Sequence, residues 1–181
     1  MWPKHSNARV STTWSPMRFF SPTVDLLHGS GGRRSMADEL SRTVTGLVAS
    51  YATTVGHEDI ARFTGLSGDD YEAHTDAGAM AGSRFGGIIA HGALLVGYMS
   101  AAGTKAIREA RLRGNTTVPV SLGYDRLRFV APVYPGDRLT VTYRVRGLDL
   151  ERQRSVADIE VTNQSGTVVA VAEHLMKWLQ S

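Results

Sequence analysis

The stretch Ile88–Arg111, IIAHGALLVGYMSAAGTKAIREAR, decides the fold. Through Met99 it is apolar nearly all round, interrupted by His91 and a few small or polar residues. A helix of that kind is expected to be buried. No apolar run approaches the ~18–20 residues that span a bilayer, so protein must cover it. The sequence on either side supplies the cover. Residues 47–54 (LVASYATT) read as a strand. A helix follows, with Gly56 as N-cap, Glu58 and Asp59 in its first turn, a Val55–Ile60 staple and Gly68 as its stop. Ile60, Phe63 and Leu66 make its apolar face, and residues 69–88 read as loop. After Pro119 the period becomes two. Leu139, Val141, Tyr143 and Val145 alternate with polar residues, as do Ala157, Ile159 and Val161, and 167–178 form a last strand. Pro135-Gly136-Asp137 and Asn163–Gly166 are turns, and short turns predict antiparallel neighbours. The expected architecture is α+β: an antiparallel sheet wrapped round one central helix.

The chain has 181 residues, which predicts one domain and a tail. The pI of 9.4 suggests nucleic acid until the charge is located. Residues 1–36 carry Lys4, Arg9, Arg18, Arg33 and Arg34 against Asp25, a net of +4; with +3 overall, the remainder is at −1. A nearly neutral body without a basic-aromatic stripe argues against nucleic acid. Residues 1–35 are read as an extraneous N-terminal tail, from an early start or a transit-like segment, and 36–181 as the domain. The absence of a signal-peptide h-region predicts a cytoplasmic protein, or a mitochondrial one if the tail is a transit peptide. With no cysteine there is no disulfide, thiolate metal site or cysteine nucleophile. The P-loop, Rossmann, nucleophile-elbow and zincin motifs are absent. Asp69, Asp70, Glu72 and Asp76 lack the ligand spacing of a calcium loop.

What remains is Ser67–Asp76, SGDDYEAHTD, then RFGGIIAHGALL with His91-Gly92. These segments resemble the MaoC-like (R)-specific enoyl-CoA hydratase family, whose motifs run roughly S-x-D-x-N-P-x-H-x-D and F-x-x-x-I-x-H-G-x-L. Leu122-Gly123 to Phe129 and Pro132–Asp137 (PVYPGD) extend the match, which covers about residues 45–178. The resemblance implies the hotdog fold and a homodimer or higher homo-oligomer with sheets joined edge to edge, which also removes an exposed sheet edge. It implies that Asp69 and His74 are the catalytic pair, that Gly92 falls on the H-G and that Ser100 lies beside the pair. One departure stands out: Tyr71-Glu72 replace the family's Asn-Pro, removing a residue that stiffens the loop.

The implied reaction is reversible hydration of a trans-2-enoyl-CoA to an (R)-3-hydroxyacyl-CoA. Water is a poor nucleophile and needs a positioned base; the thioester oxygen gains charge and needs a donor. On a regular helix Asp69 and His74 would point about 140° apart, so Gly68 must end the helix before them. Gly92 at a helix start offers an unpaired N–H and close approach for the thioester. Ser100, two turns on, is expected to bond Asp69 or the acyl group. Tyr71, Glu72, Arg84 and His91 are assigned to the substrate walls, His91 equally to a satisfied core histidine. Arg84, Arg126 and Arg128 are the basic residues weighed for the CoA nucleotide. No metal and no separate cofactor is expected, since CoA belongs to the substrate. Two rivals share the fold: a hotdog thioesterase, disfavoured because no acid lies between Ile88 and Lys105, and a catalytically silent acyl-CoA-binding subunit.

Overall fold

The computed structural model describes residues 35–181, so the reading of the tail lies outside the described residues except at Ser35. The elements run α1 (Met36–Val44), β1 (Val48–Thr54), α2 (His57–Ser67), α3 (Glu72–Thr75), α4 (Ala77–Ala81), α5 (Gly92–Leu112), β2 (Val118–Phe129), β3 (Arg138–Asp149), β4 (Arg154–Thr162) and β5 (Val168–Leu179). The five strands form one antiparallel sheet in the order β1-β3-β4-β5-β2. Helix α5 packs on its inner face against β1 and β3. This is the α+β hotdog architecture. No helix among the described residues is long and apolar enough to cross a membrane.

The period-two segments become strands because alternation gives the sheet one face to bury. Leu139, Val141, Tyr143 and Val145 of β3 point inward with Ala157, Ile159 and Val161 of β4 and Ala170, Ala172, Met176 and Trp178 of β5. Thr142, Arg144, Asp158, Glu160 and Glu173 lie on the other face. Not every strand joined in sequence is paired in space. β2 pairs with β5, not β3, because Val130–Asp137 is a crossing segment rather than a tight turn. Asp137 fixes its end: its carboxylate accepts from the Tyr134 N–H (2.8 Å) and from Gln164 (2.8 Å).

Helix α5 starts at Gly92, four residues later than the apolar run suggests. The Ile89 and Ala90 N–H groups are committed elsewhere, to the carbonyls of Ala73 (3.0 Å) and Val133 (2.7 Å), so that segment stays extended. Nor is α5 covered all round. Leu95, Met99, Ala102, Gly103, Ala106 and Ala110 are buried, while Ala93, Gly97, Ser100 and Thr104 are exposed in the single chain. Leu66 is likewise 85% exposed, because α2 ends beside it and nothing packs there. The loop at 69–88 contains two short helices, α3 and α4, the second capped by Asp76 (2.9 Å to the Ala79 N–H). Helix α1, not anticipated, is capped by Ser35 (3.1 Å to the Asp38 N–H) and buries Leu40 and Val44.

Candidate active site

The site is built where α2 ends. Gly68 takes φ 75°, a left-handed conformation that suits glycine, and its N–H closes on the Thr64 carbonyl at 2.9 Å. The chain leaves the helix axis there, which removes the angular obstacle between Asp69 and His74. Thr75 then ties the loop together, its hydroxyl within 3.0 Å of the Asp70 carbonyl and 3.2 Å of that of Tyr71. The ligating atoms of Asp69, His74 and His91 all lie within 4.8 Å of one another. Asp69 is exposed, His74 half-buried and His91 buried.

The two imidazoles have defined tautomers, because each meets a carbonyl and a carbonyl can only accept. His74 Nδ1–H donates to Ile89 O at 2.7 Å, which leaves Nε2 as its acceptor nitrogen. His91 Nε2–H donates to Asp69 O at 2.9 Å, and its Nδ1 has no partner. The rings stack 3.8 Å apart at 27°.

Gly92 has a definite reason to be glycine, though not the expected one. A Cβ there would lie 2.5 Å from Cδ2 and Cε2 of Phe129, so the glycine makes room for the Phe129 ring. The Gly92 N–H, at the first position of α5, bonds to no other described residue. A cleft of about 370 Å³ lies beside His74, lined by His57, Ile60, Ala61, Thr64, Thr75 and Ile88.

The other expected residues are distributed less tightly. Tyr71 is 64% exposed and meets His74 edge-on at 6.2 Å. Glu72 opens α3 and is exposed. Arg84 stacks over Phe85 at 5.0 Å. Arg126 pairs with Glu173 at 2.9 Å on the outer face of the sheet, away from α5, and Arg128 bonds the Leu127 carbonyl at 2.8 Å. Ser100 hydrogen-bonds Tyr124 rather than Asp69.

That bond leads into a network around His174 that the sequence reading does not include. Tyr124 stacks on His174 at 4.4 Å and 11°. The His174 ring lies 2.8 Å from Ser121 Oγ and 3.0 Å from Tyr143 Oη. Burial presses the His174 pKa down to about 4 and pushes the Tyr143 hydroxyl up. On the opposite side of α5, Tyr98 is raised to about 12 by burial first, then by the Asp59 carboxylate and Tyr51. The signal for the His174 cluster lay in strand register, which places Tyr124 opposite His174 and is not visible along one strand.

The family profile described as "MaoC like domain" matches residues 34–168. The chain belongs to the MaoC-like domain family. It is 37% identical over 108 residues to an (R)-specific enoyl-CoA hydratase of Rhodospirillum rubrum, a match covering 60% of this chain and 69% of that protein. It is 37% identical over 102 residues to Protein MaoC of Klebsiella aerogenes, covering 56% of this chain but only 28% of that much longer relative. Among solved structures it resembles an R-hydratase from Pseudomonas aeruginosa at 30% identity and a TM-score of 0.63, covering 76% of this chain and 83% of the other. This MaoC-like chain is therefore a member of a hydratase and dehydratase family, and its Asp69–His74–His91-Gly92 cluster falls within the matched segment.

Proposed function

We propose that the protein hydrates trans-2-enoyl-CoA to (R)-3-hydroxyacyl-CoA, and catalyses the reverse dehydration, with Asp69 and His74 acting on one water. The observation that carries this is the His74 tautomer. Its Nδ1–H is spent on Ile89 O, so Nε2 presents a lone pair beside the Asp69 carboxylate. The water held between them gives one proton to Nε2 while its oxygen bonds C3 of the enoyl group. The electron pair of the double bond moves onto the thioester oxygen, and the proton on Nε2 then goes to C2. Asp69 accepts a hydrogen bond from the second water hydrogen, which stays on the oxygen as the product hydroxyl, and so keeps the oxygen aimed. The unpaired Gly92 N–H at the start of α5 receives the developing oxyanion. CoA is part of the substrate, and no step calls for a metal.

The protein acts as a homodimer in this reading. β2 is an edge strand, paired with β5 on one side alone, and Val118, Val120 and Leu122 on it are 43%, 38% and 48% exposed. Pairing two such edges covers them, and the exposed small-residue side of α5 then faces the second copy.

The test follows crotonyl-CoA with the full chain, monitoring enoyl-thioester absorbance and free thiol in parallel, beside Asp69→Asn and His74→Ala. Loss of absorbance without thiol, reduced about 10²–10⁴-fold in both folded variants, is the expected result. Thiol release identifies a thioesterase instead. No turnover of crotonyl-CoA or of longer, branched or dicarboxylic enoyl-CoAs identifies a silent subunit.

A further inference from the structure

We infer that His91 is a positioning residue of this site: it clamps the Asp69 main chain against His74 and so sets the distance between the two catalytic groups. The inference rests on the hydratase reading above and deepens it. His91 is 1% exposed, so it is not placed to touch substrate. Yet its polar atoms point into the site. Nε2 donates to the Asp69 carbonyl across 2.9 Å, and the same nitrogen lies 3.5 Å from Thr64 Oγ1. Thr64 donates its own hydroxyl hydrogen to Ile60 O at 3.1 Å, so its oxygen is free to accept. Nδ1 has no partner, so the Nε2–H tautomer is the one its surroundings satisfy.

The ring is fixed as well as the hydrogen. Phe63 of α2 packs on it at 4.9 Å and 55°, and His74 stacks at 3.8 Å. His91 is the N-cap residue of α5, the longest helix among the described residues. One side chain thus couples the end of α2, the catalytic loop and the start of α5. The two catalytic groups hang from the same segment: Asp69 from His91 by its carbonyl, His74 from Ile89 by its Nδ1–H. The relative placement of carboxylate and imidazole is then set by the Ile89–His91 backbone, not by the five-residue loop between them. When His74 takes the proton from water, the charged ring lies face to face with a neutral imidazole, a favourable contact.

The test uses two variants of the full chain. His91→Phe keeps a ring of similar size and removes the Nε2–H. His91→Gln removes the ring and keeps an amide donor able to reach the Asp69 carbonyl. The expected result is a kcat loss of roughly 10–100-fold in His91→Phe with KM within about twofold, and recovery of most of that loss in His91→Gln. A wild-type kcat in His91→Phe, or equal losses in both variants, overturns the inference. Imidazole ¹⁵N spectroscopy of the wild type gives a readout independent of turnover. A hydrogen on Nε2 of His91 and on Nδ1 of His74 is expected, and the reverse assignment overturns the clamp. Asp69→Asn and His74→Ala in the same series keep the two ideas apart. If those variants retain hydration, the assignment of Asp69 and His74 as the catalytic pair fails, while the spectroscopic arm still judges the clamp.

Discussion

Gly92→Ala separates the cost of a clash from the loss of a function. The added methyl would lie 2.5 Å from two carbons of the Phe129 ring and 2.9 Å from a third. No carbon pair tolerates that, so the ring must move. Phe129 is 44% exposed, so swinging it outward gives up the burial it has, a little over half of full burial. Full burial of such a side chain is worth about 3 kcal/mol at most, so the displacement costs roughly 1.5 kcal/mol. Alanine recovers part of this, roughly 0.5 kcal/mol, by its better helix propensity. The net destabilisation is therefore about 1 kcal/mol, within reach of urea titration but far from unfolding the protein. The effect on hydration is larger, because the added methyl and the displaced ring crowd the start of α5 where the N–H lies. We expect a loss of about 10²–10³-fold, the usual consequence of removing one oxyanion donor. Alanine keeps that N–H, which makes the double variant decisive. Gly92→Ala with Phe129→Ala has room for the methyl. A double-mutant cycle should show a favourable coupling of about 1 kcal/mol in stability and regain most of the activity lost in Gly92→Ala. Strict additivity, or an undiminished rate in Gly92→Ala alone, would falsify the reasoning.

Stability should depend on pH through His174. Its pKa is held at about 4, below the ordinary 6.5, so the neutral form is favoured in the fold; the full contribution is present above pH 6.5 and disappears as pH falls to about 4. That gap corresponds to about 3 kcal/mol, and His174→Gln should flatten the urea midpoint across this window. Ser155→Ala removes the acceptor of the buried Trp178 indole N–H (2.9 Å) and should cost about 1–3 kcal/mol with hydration unchanged, read by urea titration beside the crotonyl-CoA assay. Leu122→Lys on the β2 edge should convert dimer to monomer in sedimentation velocity; a persistent dimer would place the interface elsewhere.

The strands and the central helix were legible because burial imposes a period on the sequence. Leu139 to Val145 could be assigned to one face before any partner strand was known. Strand order was not legible: the placement of β2 against β5 depends on a crossing segment whose hydrogen bonds, such as Ala90 N–H to Val133 O, join residues far apart in sequence. Helix α1 was legible and overlooked. Ser35 and Asp38 are spaced as a cap, and Met36, Leu40 and Val44 fall on one face. In the site, the Asp69–His74 spacing could be read, but the partners of Ser100 and Gly92 could not. Both partners, Tyr124 and Phe129, come from β2, and their arrival depends on sheet topology.

The replacement of Asn-Pro by Tyr71-Glu72 raises the question of what holds the loop that carries Asp69 and His74. Proline restricts a loop by fixing its own φ and limiting the residue before it. Here the constraint is spread over side-chain bonds. Thr75 closes the loop on the carbonyls of Asp70 and Tyr71, and Gly68 at φ 75° fixes its entry. Ile89 and His91 hold the two functional residues from outside it. The backbone N–H at residue 72 and the exposed ring of Tyr71 are then free of a structural duty. Tyr71 stands edge-on to His74 and largely in solvent, where an acyl group bound at His74 would meet it. The departure therefore bears on which acyl groups are accepted more than on whether hydration occurs. Tyr71→Ala should change KM and the ranking of enoyl-CoA substrates by about 10-fold or less while the kcat of the best substrate changes little. A collapse of kcat for every substrate would show instead that Tyr71 helps hold the loop.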